Sequence, residues 1–208
     1  MAGGVVAEVA ASVFGLITAV MNFFTNMFLT PPLSATIKHL EEAELKTLTG
    51  EPKTIRAKSL WETSGAVIMA EAAELSSLKP QLDELGVPLY AVVKEDIGTE
   101  VQNFRPYLKG EIFLDEKKRF YGPLERKMGL LAFLRPGVWL SGLRAFNKGF
   151  MGNIMGEGFV LGGVFVIGRE EQGILLEHRE IEFGDKVNIE EVLRAARRIP
   201  QELLSLEK

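Results

Sequence analysis

The 208-residue sequence contains no cysteine. It therefore cannot form a disulfide, bind a metal through thiolates or use a cysteine as a nucleophile. Histidine is also scarce, because His39 and His178 are the only two and neither has a second histidine at the spacing of a zinc site. No Gly-x-Ser-x-Gly segment supplies a nucleophilic serine. We therefore expect no catalytic residue of these types, no metal and no cofactor.

The charge balance argues against nucleic acid as a partner, because the net charge is −4. Two basic clusters, at residues 117–119 and 194–198, are interpreted as solvated faces. Apolar residues make up 47% of the chain and charged residues 25%, which is typical of a globular protein. The length suits one domain with an appendage.

The N-terminal segment Val9–Leu29 has no charge over 21 positions, which is enough for a helix to cross a hydrocarbon core of about 30 Å. Five polar residues dilute it: Ser12, Thr18, Asn22, Thr25 and Asn26. Glu8 is the only charge before it, so the basic start of a signal peptide is missing. A membrane anchor, an interfacial helix, an uncleaved signal-anchor and a helix packed on the domain remain open. We favour membrane association for residues 1–32.

The middle of the chain alternates between strands and helices. Apolar runs predict strands at Ala66–Ala70 and Val87–Val93, and a third strand starts at Glu111–Leu114. Leucines at helical spacing between the first two strands predict a helix that Pro80 kinks and Gly86 ends. A less regular helix is predicted over residues 99–108.

The end of the chain predicts a hairpin and a closing helix. Strands are expected at Phe159–Ile167 and Ile174–His178, followed by a helix that Asn188 caps and Pro200 ends. This order predicts an α/β protein with a thioredoxin-like sheet flanked by helices, occupying residues 33–208.

An insertion at about 126–156 combines five cations and no acid with many large apolar residues. It would form two short amphipathic pieces separated by Pro136-Gly137. It could lie on an anionic membrane surface, line an apolar groove, or pack on the sheet as a lid, and we favour the lid.

Nine segments resemble the peroxiredoxin-like 2 family. They are Trp61–Glu62, Gly65–Ala70, Leu85–Glu95, Gly110–Lys118, Phe120–Pro123, Gly156–Phe159, Leu161–Val166, Gln172–Glu180 and Phe183–Asn188. The resemblance covers nearly everything after about Leu40. It implies a thioredoxin-like domain with antioxidant, redox-regulatory activity and a role in restraining inflammatory and osteoclast-forming signals. A sister branch reduces prostaglandin-type endoperoxides.

One departure from the family decides the expected mechanism. The resemblance implies a short segment with a Cys-x-x-Cys pair between Ala70 and Glu71, and here these residues are adjacent. Such a clean excision indicates an alternatively spliced form or a deletion, with Ala70 and Glu71 as the remnant of the site. Glu71 would suit the first turn of a helix, but its carboxylate cannot replace a peroxide-reducing sulfur.

Three expectations follow. The chain is a redox-regulatory protein without thiol catalysis, or alternatively a non-enzymatic interaction isoform in inflammatory or osteoclast signalling, or a relative of the endoperoxide reductases. It is cytoplasmic and membrane-associated, with secretion as the alternative. Its strand-to-helix junction is too short, because such connections normally need about 2–6 residues, and this loosens the domain.

Overall fold

The computed structural model describes residues 2–28, 32–70, 73–96, 101–102, 105–108, 110–123, 125, 160–180 and 185–206. Glu71 and the predicted insertion at 126–156 therefore lie outside the described residues, as does part of the helix predicted over residues 99–108. A 3₁₀ turn at Arg105–Tyr107 is described within that last range.

Within the described residues, seven strands form one mixed sheet in the order β2-β1-β5-β4-β3-β6-β7. They are β1 (Glu44–Thr47), β2 (Thr54–Arg56), β3 (Ala66–Ala70), β4 (Leu89–Val93), β5 (Glu111–Leu114), β6 (Gly163–Ile167) and β7 (Ile174–Arg179). The central strands β3, β4 and β5 are parallel, and the outer pairings are antiparallel. The α/β thioredoxin-like architecture predicted from the sequence is therefore confirmed.

The first hairpin is an addition to the prediction, because neither β1 nor β2 was expected. Both strands are short and largely exposed or half-buried, and only Leu45 is fully buried between them. Their polar residues hide the alternation that would mark a strand in the sequence. The strand β6 begins at Gly163, later than the predicted Phe159.

Helices and 3₁₀ turns cover both faces of the sheet. The α-helices are α1 (Ala2–Phe28), α2 (Ile37–Glu41), α3 (Lys79–Glu84) and α4 (Ile189–Leu206), and 3₁₀ turns include Ala57–Leu60, Ala73–Leu78 and Arg119–Tyr121. One buried cluster joins Val67 and Met69 of β3 to residues of α3 and α4. The opposite cluster joins Ile68 and Ala70 to residues of α2 and of the turns at 57–60 and 119–121.

Two predicted roles for prolines are wrong. Pro80 does not kink a long helix, because the segment before it is a 3₁₀ turn and Pro80 lies in the first turn of α3, where no helical bond from its nitrogen is needed. Pro200 does not end the last helix, which continues to Leu206. Its missing N–H removes one bond, and the buried side chains of Val192, Ala196 and Ile199 hold the helix against the sheet.

The cap predicted for α4 is confirmed, because Asn188 Oδ1 accepts a hydrogen bond of 2.9 Å from the backbone N–H of Glu190. At the other end of the chain, α1 is 27 residues long. Among the helices of the described residues, none combines the length and the apolarity needed to cross a membrane.

Gly162, the residue before β6, lies very close to the end of β3. A Cβ atom placed on Gly162 would lie 2.1 Å from the backbone oxygen of Ala70. Any side chain at this position would therefore force the end of β3 away from β6. The amide of Gly162 also donates a 3.1 Å hydrogen bond to Glu180 Oε2, which holds the loop in place.

We expect Gly162→Ala to lower the free energy of unfolding by about 1–3 kcal/mol, the usual cost of overpacking a core. The matched control is Gly15→Ala on α1, where the new Cβ meets nothing within 4 Å and a helical alanine is favourable. Urea unfolding of both variants measures the difference. Equal stability of the two variants would contradict the close approach.

Candidate functional site

The carboxyl ends of the three parallel strands lie side by side, and this edge is where α/β proteins place functional groups. Ala70 of β3 pairs with Val92 of β4, and Val92 pairs with Phe113 of β5. On the other side Ala70 pairs with Gly163 of β6, which pairs with Arg179 of β7. One row of backbone pairs therefore joins the predicted remnant of the site to an arginine two strands away.

Ala70 ends β3 and is completely buried, as the sequence predicted for that strand. Its methyl group offers no chemistry, and Gly162 packs directly against its carbonyl oxygen. Glu71, the other predicted remnant residue, lies outside the described residues. The structure therefore describes only the strand side of the junction.

The first described residues after the junction form a 3₁₀ turn over Ala73–Leu78, and the chain becomes α-helical at Lys79. A 3₁₀ turn rises about 2.0 Å per residue and an α-helix about 1.5 Å, so six residues cover about 3 Å more as 3₁₀. We interpret this stretching as the way in which the chain spans a connection that is too short. The cost is the poorer hydrogen-bond geometry of the 3₁₀ turn.

A buried carboxyl follows β5 at the same edge. Asp115 is fully buried, and its Oδ2 accepts a 2.8 Å hydrogen bond from the backbone N–H of Phe120. Burial raises the pKa of Asp115 to about 6, while the N–H of Phe120 and the charge of Arg119 oppose this rise. The turn that carries these donors places Lys118 in the left-handed backbone conformation, at φ 53°. This conformation curves the loop around the Asp115 carboxyl.

Tyr121 and Lys94 cover the end of β4. The Tyr121 hydroxyl donates a 3.1 Å hydrogen bond to the carbonyl oxygen of Val92, in the same row as Ala70. The Lys94 side chain is buried, and its Nζ lies 5.5 Å from the centroid of the Tyr121 ring. A cation held at that distance over an aromatic ring is attracted to its face.

Arg179 connects the far end of the row to the N-terminal part of the chain. Its Nε donates to Glu177 Oε1 at 2.7 Å, its Nη1 donates to the carbonyl oxygen of Phe120 at 2.6 Å, and its guanidinium lies 4.6 Å from the Phe165 ring centroid. Burial lowers the pKa of Arg179, while Glu177 opposes this. The same Glu177 carboxylate accepts from the backbone N–H of Ala35 at 3.0 and 3.1 Å.

His39 is held beside a second arginine, Arg119. The two side chains meet at 3.1 Å between His39 Nδ1 and Arg119 Nη1. Because a guanidinium can only donate, Nδ1 is the acceptor and carries no proton. Burial, and then the charge of Arg119, lower the pKa of His39, so the imidazole is neutral at pH 7.

This edge carries charge and hydrogen-bonding groups without a thiol. Its carboxyl, guanidinium and phenol groups make the contacts that hold loops to the sheet. Within the part of the chain that the structure describes, no group of three or more acidic or histidine side chains could hold a metal ion. The described edge can therefore bind and orient polar groups, but it offers no sulfur for peroxide reduction.

None of Asp115, Arg179 and Glu177 was predicted as a site residue from the sequence. Asp115 could have been found, because it directly follows a predicted parallel strand and therefore lies at the functional edge of the sheet. Arg179 and Glu177 gave no such signal, since alternate charges are ordinary in an edge strand.

The raised pKa of Asp115 predicts an unusual pH dependence. Its folded value of about 6 exceeds the ordinary 3.8, so the folded protein binds this proton more tightly than the unfolded chain does. The group therefore stabilises the fold below about pH 4, and that stabilisation is lost as the pH rises through about 6. Relative to the wild type, Asp115→Asn should become more stable by about 2 kcal/mol as the pH rises from 4 to 7, because the unfolded carboxyl is already largely ionised at pH 4.

Urea unfolding at several pH values measures this difference. The matched control is Glu116→Gln, because Glu116 is the exposed neighbour and its ion pair with Lys46 is on the surface. We expect the control to change stability by less than about 1 kcal/mol at any pH. Curves for the wild type and Asp115→Asn that stay parallel from pH 4 to pH 7 would refute the raised pKa.

Comparison with known proteins identifies the family. A family model described as AhpC/TSA antioxidant enzyme matches residues 74–182. Human Peroxiredoxin-like 2A is 60% identical over 195 residues, which cover 88% of this chain and 85% of that protein. Peroxiredoxin-like 2A of Danio rerio is 58% identical over 202 residues, covering 92% and 93%.

Among solved structures, the chain is similar to reduced Prx3 from Vibrio vulnificus in complex with H2O2. The TM-score is 0.46 at 19% identity, covering 79% of this chain and 99% of that one. The assignment itself depends on the family model and on the two relatives of similar length. On that evidence, this cysteine-free chain belongs to the peroxiredoxin-like 2 family.

Proposed function

We propose that this chain is a redox-regulatory member of its family that has no thiol catalysis and acts by binding. One observation carries the proposal: the sequence keeps the family's sheet and close similarity to its relatives, yet contains no cysteine. A protein that keeps its fold and loses its nucleophile can still compete for the partners of its catalytic relatives.

The chemistry of the site supports this proposal. A cysteine at a helix N-terminus reduces peroxide because the local N–H groups favour the thiolate, which is then oxidised to a sulfenic acid. Ala70 offers only a methyl group at the end of β3. The neighbouring Asp115 carboxyl and Tyr121 phenol have no sulfur to oxidise, so they cannot take over this step.

The two alternatives predict different partners or substrates. An interaction isoform in inflammatory or osteoclast signalling would bind signalling proteins without turnover. A relative of the endoperoxide reductases would consume prostaglandin-type endoperoxides. The same purified chain can be tested for both, and any turnover would contradict the proposal that it acts by binding.

We also propose that the protein is cytoplasmic and that residues 1–32 bring it to a membrane. The support is the uncharged segment Val9–Leu29. Deleting residues through Leu29 should move the protein from the membrane pellet to the soluble fraction of a cell lysate. An unchanged distribution would contradict membrane association, and recovery of the full chain from the medium would favour secretion.

We expect the purified chain to reduce hydrogen peroxide and an organic endoperoxide no faster than buffer with the same dithiol reductant. Human Peroxiredoxin-like 2A, assayed in parallel, is the comparison protein. Consumption of either substrate faster than in buffer would overturn the proposal, because the chain would then catalyse the reaction without a cysteine.

Restoring the missing segment tests the junction directly. Inserting the relatives' Cys-x-x-Cys segment between Ala70 and Glu71 should restore peroxide turnover. It should also raise the melting temperature, because a connection of normal length removes the need for the stretched 3₁₀ turn. The matched control carries the same segment with both cysteines replaced by serine, and we expect it to be stabilised but inactive.

The two readouts separate two claims. Peroxide turnover without a higher melting temperature would contradict the proposal that the junction is strained. It would still support the junction between Ala70 and Glu71 as the position of the redox centre. Stabilisation of both insertions without turnover would mean that the redox centre lies elsewhere, and the function would then have to be sought in the segment at 126–156.

A further inference from the structure

The helix α1 carries almost no charge. Glu8 is the only ionisable side chain within Ala2–Phe28, and the helix contains no lysine or arginine. Helices that bind anionic membranes through charge carry cations on their polar face. If α1 meets a membrane, electrostatic attraction to anionic lipid therefore contributes nothing from this helix.

Large apolar side chains are exposed along one side of α1. At 100° per residue, the stripe spans about a third of the helix circumference. Its members are between 46% and 67% exposed: Val13, Leu16, Ile17, Val20, Phe23 and Phe24. Such a contiguous exposed stripe marks a binding surface, because isolated soluble helices do not leave this much apolar surface in water.

The side of α1 opposite the stripe is built mainly from small residues and includes Glu8, and Phe14, which is 54% exposed, lies between the two sides. Ala11, Gly15 and Ala19 lie on the opposite side, and a Cβ atom placed on Gly15 would meet nothing within 4 Å. Ser12 Oγ donates to the Glu8 carbonyl and Thr18 Oγ1 to the Phe14 carbonyl, both at 2.9 Å. These hydroxyls are satisfied within the helix, which lowers the cost of placing them near acyl chains.

A second copy of the chain fits this surface poorly. A paired helix usually sets its partner and register through charges that flank its apolar positions. The helix α1 has a single acid and no cation for this purpose. A lipid surface suits the stripe better, because it accepts side chains of any shape and needs no register.

We propose that α1 lies in the surface of weakly charged, loosely packed or strongly curved membranes and binds by inserting its apolar stripe. The inference rests on the membrane association proposed above and adds the class of lipid surface. Large inserted side chains opposite a face of small residues make binding sensitive to packing defects, and a helix with one acid and no cation has no attraction to anionic lipid for salt to screen. About 40 Å of helix would lie along the surface.

The test is flotation of the full chain with small and large unilamellar vesicles of phosphatidylcholine, with and without phosphatidylserine, at low and high salt. We expect binding to small neutral vesicles, weaker binding to large ones, and no loss at high salt. The double variant Leu16→Ser with Ile17→Ser should bind at least about tenfold more weakly. The matched control, Ala11→Ser with Ala19→Ser, should bind like the wild type.

Four outcomes would overturn the inference. Binding that requires phosphatidylserine and falls with salt would assign membrane attachment to cations elsewhere in the chain. Resistance to carbonate extraction would show a spanning helix. Lipid-free self-association that Leu16→Ser with Ile17→Ser abolishes, measured by sedimentation, would assign the stripe to a second copy. Absence of binding to every vesicle would also overturn membrane association, while the peroxide assay would still decide the thiol-free function.

Discussion

The close contact between the ends of β3 and β6 is the constraint on which the rest of the functional edge depends. Gly162 packs against the carbonyl oxygen of Ala70, and Ala70 pairs with Val92 on its other side. Because both neighbours hold the end of β3 by its backbone, that end has little freedom to move. Beyond the junction, the first described residues form a 3₁₀ turn that begins at Ala73.

The charged groups around this edge hold loops against the sheet. Asp115 accepts a hydrogen bond from the backbone of the turn after β5. Arg179 donates to the carbonyl oxygen of Phe120 and to the Glu177 carboxylate. The same carboxylate accepts from the backbone N–H of Ala35. Removing one member of such a buried pair leaves the other charge unsatisfied, which is costly. This network holds loops to the sheet in a chain that has no cysteine.

The helix α1 differs from the sheet in where its large apolar side chains lie. In the sheet, apolar side chains are buried from both faces, and polar groups are paired by backbone and ion-pair contacts. On the described part of α1, large apolar side chains are exposed, and the hydroxyls of Ser12 and Thr18 donate to carbonyl oxygens of the same helix. The arrangement in the sheet specifies one fold, whereas the arrangement on α1 leaves large apolar side chains in contact with water.

Local pattern in the sequence determined the central architecture. Continuous apolar runs revealed β3, β4 and β5, because strands buried on both faces need no polar alternation. Apolar runs also predicted the hairpin of β6 and β7. The cap at Asn188 was predicted from a polar residue that precedes a helical pattern. The lack of cysteine, and with it the lack of thiol chemistry, is likewise a property of the sequence alone.

Tertiary structure alone decided the rest. The strands β1 and β2 exist because β5 offers an open edge, which their own polar residues do not reveal. Pro200 stays inside α4 because packing outweighs one lost hydrogen bond, and Ala73–Leu78 forms a 3₁₀ turn where the leucine spacing predicted an α-helix. The partnership of Arg179 with Phe120 joins residues 59 positions apart. No local pattern contains that contact, because it forms only once the sheet has brought distant segments together.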